Sequence, residues 1–565
     1  MASCAWWRAA LLALGVTLPC MAVTAVHGQN VLPPQVLDPS VRTAIPPAQP
    51  RAGDILGPPA PGPCPLASSN LQFMLTGVEF SGVMGVNDVL QGAYGDLVGK
   101  QIPVSAICEI RDRATAILFQ RGLLARVEIP QQTITGGRVS FTVIEAFVAA
   151  VQVRGNAGPA QEKVDDYIEN LRGLRPFDIN KAQRYLLLAS DIPGVVIAAT
   201  LRPSAEAPGA VELDVDVSHV AADAVLNTNN FNAKSAGRIT GLIRGDLNSL
   251  TSLGERTSII GYTTLEGPFN AQQVLQGVEE VRIGSDGWLF RVSGAYGSTH
   301  PGDVLRPLDI SGHSIVVDGR LAYPIIRERS VNVTVSGGVN YVRQDVDTAG
   351  LPLVRDSLSI LFGRIGFDQA FAFAPVILGG GIEVRQGIPA MFGTVRAGAQ
   401  HLSRAVGDPG AADYRADARI DIDWLPYVST VGLFQGQYSS RPLLSYEEFT
   451  VGNLTIGRGY DPSVISGHTG VGGSGEIHFG PFPNFRSVPL LGNISVYGFF
   501  DDATVWNRSA GGTDRSLRSV GGGVVVQLAD RVQADVFYAH PLNKISEGIG
   551  EPPPSRVQFN VTANF

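Results

Sequence analysis

The sequence predicts a mainly β protein: a membrane-spanning antiparallel β-barrel of about 16 strands, preceded by two small α+β modules. Three observations carry that prediction. Helical periodicity disappears after about Ala222, and the chain to Phe565 becomes a succession of alternating apolar and polar segments separated by Gly, Asn, Asp and Pro. Ahead of it, one order of elements, β-α-α-β-β, occurs twice in succession. No uninterrupted apolar run long enough for a helical span follows the N-terminus, which leaves strands as the route across a bilayer.

The chain has 565 residues, more than one ordinary core accommodates, and only 17% are charged, against 66 Gly and 37 Pro. A net charge of -8 argues against a nucleic-acid-binding face, which would be basic. Residues 1–28 read as a secretory signal: Arg8, then the apolar "AALLALGVTLP", then small residues at Val26 and Gly28. Pro19 sits where a lipoprotein signal needs a small residue before Cys20. Cleavage near Gly28 leaves Cys64 and Cys108. In an exported protein these either pair or stay as two thiols, Cys108 buried on a helix. A bridge closing a loop of about 44 residues contributes about 4 kcal/mol on the chain-entropy estimate.

Residues 29–69 are punctuated by proline and carry no amphipathic period, so they read as an extended linker. The first module spans 70–146. "FMLTGVEFSG" reads as a strand and "VNDVLQGAYGDLVGKQIP" as a short helix and turn. Next comes a helix whose face holds Ile107, Ile110, Ala114, Ile117 and Leu118, stopped by Gly122. "LARVEIP" and "GRVSFTVIE" then form two strands around Thr135–Gly137. The second module, 147–222, repeats the order: "FVAAVQVRG", a helix over "AQEKVDDYIENLRGL", a second helix with Asp178 at its N-cap, then "VVIAATLRPS" and "GAVELDVDVSH".

The barrel occupies 223–565. "SVNVTVSGGVNYV" places Val331, Val333, Val335, Val339 and Tyr341 on one face and Ser330, Asn332, Thr334 and Asn340 on the other. The last segment alternates Val557, Phe559, Val561, Ala563 and Phe565 with Gln558, Asn560, Thr562 and Asn564. "DARIDIDWLP" sets Arg419, Asp421 and Asp423 against Ala418, Ile420, Ile422 and Trp424. One apolar face and one wet, often charged face suit lipid outside and a polar lumen inside. Segments of about ten residues, at roughly 21 residues per strand and connection, give about 16 strands.

Apparent chemical motifs fail on context, and no catalytic, cofactor or metal site is expected. "GVGGSG" (Gly470 to Gly475) is followed by the strand-like "EIHFG" and not by a helix, against a nucleotide site. The eight His are scattered without zinc-ligand spacing, and no nucleophile elbow or triad stands out. "GGG" at Gly379–Gly381 and Gly521–Gly523 fits barrel curvature and close packing.

Two stretches carry a resemblance. "CEIRDRATAILFQRGLLARVEIPQQTITGGRVSFTVIEAFVAAVQVRGN" and "YEEFTVGNLTIGRGYDPSVISGHTGVGGSGE" resemble the outer-membrane transporters of two-partner secretion, the ShlB/FhaC/HecB-type haemolysin secretion/activation proteins. The likeness covers nearly everything from about residue 70, and the second stretch is the more specific. The resemblance implies that the modules are periplasmic POTRA domains and that a loop around 449–475 folds into the barrel. It assigns the loop motif to Gly457, Arg458, Gly459 and Tyr460, and pairs Arg458 with an aspartate on the inner wall. The wall pattern Phe-x-Asp-x-Gly maps onto Phe499 and Asp501, with Ala503 in place of the glycine. That departure leaves Asp502 open as the partner, although alternation favours Asp501.

The resemblance further implies a large secreted exoprotein, of adhesin or haemolysin class, bound through the modules and threaded through the lumen. Outer-membrane lipid surrounds the barrel, and the assembly machinery reads a C-terminal strand ending in Phe565. An N-terminal plug helix occurs in the family; "QVLDPSVRTAI", interrupted by Pro39, is not expected to form a stable one. The alternative is a Bam-type assembly factor, which shares the modules and the Arg-Gly-Tyr loop but commonly carries more modules.

Overall fold

The computed structural model describes residues 63–82, 87–172, 174–204, 206–267, 271–371, 374–389, 391–453, 456–482, 491–507, 514–528, 531–545 and 553–565. The expected signal, most of the proline-rich lead and the plug candidate lie outside the described residues.

The first module contains β1 (Gln72–Met74), β2 (Gly77–Ser81), α1 (Asn87–Leu90), β3 (Gln101–Pro103), α2 (Ala106–Gln120), β4 (Ala125–Glu128) and β5 (Arg138–Glu145). The stretch that reads as one strand from Phe73 is two. The chain breaks at the fully buried Leu75, and β1 leaves the main sheet to pair with β3. β2 runs parallel to β5, with β4 antiparallel on the other side of β5. The apolar face of α2 buries Ile107, Ile110, Ala114 and Leu118 among Phe80, Val139 and Phe141, which is what fixes the helix on this sheet. A disulfide joins Cys64 to Cys108, with Cα atoms 5.7 Å apart, and ties the end of the lead to α2.

The second module has β6 (Phe147–Gly155), α3 (Gln161–Glu169), α4 (Ile179–Ser190), β7 (Val195–Pro203) and β8 (Ala210–His219), in the sheet order β6-β8-β7. Asp178 caps α4 by accepting from the main-chain N–H groups of Asn180 and Lys181 at 2.9 and 3.1 Å. Tyr167, Leu171, Phe177, Leu186 and Leu213 fill the core beneath it. β6 runs parallel to β8, so both modules share one topology.

Module two sits on the near rim of the barrel. Asp191 accepts both arms of Arg327, at 2.7 and 2.9 Å, and its carbonyl takes Arg282 at 2.9 Å. Arg184 on α4 donates to the carbonyls of Pro324 at 3.0 Å and Asp286 at 3.2 Å. Ser249 donates to the Pro193 carbonyl at 2.7 Å. Paired and multiply bonded arginines thus join one face of module two to the barrel rim.

The barrel opens with β9 (Ala222–Asn229), β10 (Thr240–Asn248), β11 (Arg256–Thr264), β12 (Gln272–Ile283) and β13 (Trp288–Thr299). It continues with β14 (Ile310–Arg327), β15 (Val331–Thr348), β16 (Leu351–Ala370), β17 (Val376–Gly387), β18 (Ala412–Leu425) and β19 (Val428–Ser439). A small inner hairpin, β20 (Phe449–Val451) and β21 (Ile465–Gly467), interrupts the meander. The wall resumes with β22 (Thr469–Phe482), β23 (Leu491–Trp506), β24 (Arg515–Leu528), β25 (Val532–Pro541) and β26 (Arg556–Asn564). Without the hairpin, these 16 strands close into one antiparallel barrel. The seam pairs β26 with β9 from Asn560↔Asn229 to Asn564↔Val225, and Phe565 adds main-chain bonds of 2.9 and 3.2 Å to Ala224. Closure leaves no free edge, the condition for a sheet in lipid.

Outward positions are apolar and bare. Ile259, Leu275, Ile365, Ile382 and Val557 are exposed, while their neighbours Ile260, Gln276 and Gln558 are buried inward. Aromatic residues mark two belts: Trp288, Tyr323, Trp424 and Tyr427 toward the module end, and Tyr296, Tyr414 and Tyr438 toward the far end. The stretch of β18 from Tyr414 to Trp424, tilted near 45°, spans about 23 Å, close to the apolar band of such barrels. β14, β15 and β16 are 18, 18 and 20 residues long, nearly twice the expectation. The extra length of β15 and β16 carries Arg343, Asp345 and Arg355 where other strands carry apolar residues, as expected of wall that rises past the membrane.

The lumen is not polar throughout. The described residues of loops 388–411 and 440–468 fold inward from the far end and bring Leu402, Leu444 and Tyr446 against Leu242, Ile260, Tyr262, Val274, Val342 and Leu358 of the wall. The second loop returns to the wall at Thr469, so "GVGGSG" belongs to β22 and not to the loop expected over 449–475. Its inward glycines make room for that loop. A Cβ at Gly470 would lie 2.2 Å from the Phe449 ring, and one at Gly472 3.0 Å from Ile456.

Candidate functional site

The loop reaches its deepest point at the Arg-Gly-Tyr motif. Gly457 and Gly459 have φ of +103° and +92°, a region that side chains rarely adopt, and a Cβ at Gly457 would sit 2.5 Å from Leu517. The glycines therefore turn the chain sharply against β24 and aim Arg458 at β22 and β23.

Three strands supply the receiving surface. Register sets Ser474 of β22 opposite Asp501 of β23, and Asp501 opposite Ser519 of β24. One row further along, Glu476 stands opposite Phe499. Asp501 is fully buried. It accepts Arg458 Nη2 on Oδ1 at 2.7 Å, and Arg458 Nε and the Arg458 main-chain N–H on Oδ2 at 3.1 and 2.9 Å. The Gly457 N–H, Ser474 Oγ and Ser519 Oγ also donate to it, at 3.2, 2.7 and 3.2 Å. The other arm of Arg458 donates to Glu476 Oε1 at 2.5 Å, and the guanidinium lies 3.6 Å over the Phe499 ring. A planar guanidinium thus uses its fork, its edge and its face at once, which an ammonium cannot do.

Tyr460 holds the next turn. Its ring is fully buried among Val451, Ile456, Val464, Val505 and Leu517. Its hydroxyl accepts the Asn543 N–H at 3.0 Å and lies 2.9 Å from the carbonyls of Arg518 and Asn543. Asp461 then pairs with Arg556 at 2.6 Å.

All the residues expected from the motif meet here: Gly457, Arg458, Gly459, Tyr460, Phe499 and Asp501. Asp502 faces the other way and pairs with Arg518 at 2.9 Å. Cys64–Cys108 and Phe565 lie elsewhere, in the first module and at the seam. Sequence reasoning missed Glu476, Ser474 and Ser519. Their inward parity on alternating strands was readable, but which rows align across the sheet was not. Among the described residues, no group of His, Cys, Asp and Glu is arranged to hold a metal ion.

Comparison with known proteins agrees with this architecture. The haemolysin secretion/activation protein ShlB/FhaC/HecB family matches residues 210–526, and the ShlB-type POTRA domain matches residues 73–146. No curated protein matches the chain. Among solved structures, CdiB from Escherichia coli superposes with a TM-score of 0.73 at 14% identity, over 92% of this chain and 95% of that one. CdiB from Acinetobacter baumannii gives 0.64 at 15% identity, over 88% and 91%. BamA from Haemophilus ducreyi lacking POTRA domains 1–3 gives 0.50 at 13% identity, over 87% and 100%. At such identities the structural likeness is one of fold. The family match spans more than half the chain. The chain therefore belongs to the haemolysin secretion/activation protein family ShlB/FhaC/HecB, as an outer-membrane transporter of two-partner secretion whose POTRA region lies in the periplasm.

Proposed function

We propose that this transporter takes an unfolded exoprotein of adhesin or haemolysin class in the periplasm by strand addition to a POTRA sheet edge. The exoprotein then passes through the lumen while the inner loop stays registered by Arg458 and Asp501. The observation that carries the reading is that each module's sheet ends in an edge strand and that module two is bonded to the near rim of the barrel. β7 is an edge strand of module two, which is bonded to the near rim, and β4 is an edge strand of module one. An extended cargo segment adding to such an edge gains main-chain hydrogen bonds without demanding a particular sequence. Two stretches border the candidate grooves: Val127–Pro130, and 195–201.

Passage needs no group on this chain to do chemistry; folding of the exoprotein outside supplies the drive. Lipid surrounds the apolar outer wall, and the last strand through Phe565 is the segment we assign to recognition by the outer-membrane assembly machinery. The module boundaries 70–146 and 147–222 fit this division of labour. Deleting the gene tests the reading, with the secreted partner followed by immunoblot in periplasm and medium. Retention of that partner in the periplasm is expected. A partner that still reaches the surface, while many outer-membrane barrels fail to assemble, would favour the Bam-type alternative.

A further inference from the structure

The inner loop is fastened at a second place. Eleven residues before Arg458, at the loop's base, Glu447 is buried, and its two oxygens accept Arg385 Nε at 2.8 Å and Arg385 Nη2 at 3.0 Å. Arg415 Nη2 reaches the same carboxylate at 3.2 Å, and Gln437 Nε2 takes the Glu447 carbonyl at 2.7 Å. The wall groups facing this site are Glu383, 3.0 Å from Arg385, and Asp413, 2.7 Å from Arg415. The polarity is the reverse of the deep latch. Here the wall supplies the arginines and the loop the carboxylate.

The base also grips the other inner loop. Glu448 pairs with Arg404. The Ser445 N–H donates to Ser403 Oγ at 3.0 Å, and the Asp408 N–H donates to the Pro442 carbonyl at 2.9 Å. Loop 388–411 is in turn bonded to β16 through the Val395 N–H to the Ser357 carbonyl at 2.9 Å and the Ser403 N–H to Asp356 at 3.1 Å. Register places Arg415 opposite Gln437, and Gln437 opposite Gly470, so this clamp lies four residues of β22 above Ser474. That separation is about 13 Å along the strand. The two clamps share no partner, and sites this far apart behave independently.

We propose that Glu447 and Arg385 form an upper clamp, separate from Arg458–Asp501, that holds loops 388–411 and 440–468 together as one plug at the far mouth. Release of Arg458 then frees the loop's tip while the base stays seated, and the plug as a whole opens only when both clamps let go. Glu447 is a positioning residue of the transporter, and this role does not depend on which exoprotein is carried.

The test uses the purified full-length protein, so its outcome is separate from that of the secretion experiment. Hydrogen exchange is followed in peptides covering the base (440–449) and the tip (456–465), and conductance is recorded in planar bilayers. Glu447→Gln keeps the shape of the side chain and removes its charge. It should speed exchange at the base about tenfold and leave the tip protected, whereas Arg458→Ala should do the opposite. The double variant should lose protection in both peptides and conduct more than either single variant. Base and tip exchanging together in Arg458→Ala would overturn the proposal, as would a base that stays protected in Glu447→Gln. Heat-modifiable migration checks insertion. Should Glu447→Gln not insert, Arg385→Lys keeps the charge, loses the second bond and carries the same expectation at the base.

Discussion

Removing the Arg458 side chain is the sharpest probe of the deep latch. The substitution Arg458→Ala deletes two bonds to Asp501, one to Glu476, one to Ser474 and the contact over Phe499. It leaves Asp501 buried, but not bare: the main-chain N–H groups of residues 457 and 458 and the hydroxyls of Ser474 and Ser519 still donate to it. Breaking a buried pair costs about 3–5 kcal/mol, much of it the stranded charge, so four remaining donors place this case near about 3 kcal/mol. That is roughly a 150-fold rise in the released tip population. Secretion of the partner exoprotein into the medium should fall sharply, with barrel insertion unchanged by heat-modifiable migration. Arg458→Lys should fall between, because an ammonium cannot hold Asp501 in two directions and also reach Glu476. The exchange Arg458→Asp with Asp501→Arg should restore secretion only in part, since Glu476 would repel a carboxylate at position 458. Secretion at the wild-type level by Arg458→Ala would refute the reasoning.

Three further outcomes follow from the same geometry. Cys64→Ser opens a loop spanning a sequence separation of 44 and should cost about 4 kcal/mol in module one, lowering its denaturation midpoint with the barrel transition unmoved; an unchanged midpoint would count against a bridge in the exported protein. Gly470→Leu places side-chain atoms where the Phe449 ring lies, so it should lower secretion although every latch residue is intact; normal secretion would show that the loop need not seat. Asp191→Ala removes both bonds to Arg327 and should broaden spin-label distances between module two and the barrel, and an unchanged distribution would mean that the remaining rim contacts suffice.

Much of this was legible because the relevant signals are local. Alternation identified the outer face of β26 and β15, and periodicity identified the buried face of α2. The motif at Gly457 to Tyr460 led to the latch through a family resemblance. Parity favoured Asp501 over Asp502 without closing the choice, since residues two apart on a strand share a face with Phe499 and Ala503. Two of the misreadings were matters of pairing. The stretch from Phe73 has strand character throughout, yet only the partner strand β3 reveals the break at Leu75. The resemblance carried the inner loop through to residue 475, but the inward glycines of 470–475 are wall positions kept small by the loop that packs on them.

What the sequence by itself determined was the class of the segments from about residue 70 onward: two repeated modules, and a wall with a lipid face. Those properties depend on residues near one another in the chain, whose burial preferences add along a strand or helix. Only the tertiary structure decided which rows align. It put Ser474, Asp501 and Ser519 side by side from three strands, brought Glu476 to the free arm of Arg458, and lined part of the lumen with apolar residues for two inward loops. Each depends on strand register. A slip of one residue turns every side chain to the opposite face, and no single strand records where its neighbour begins.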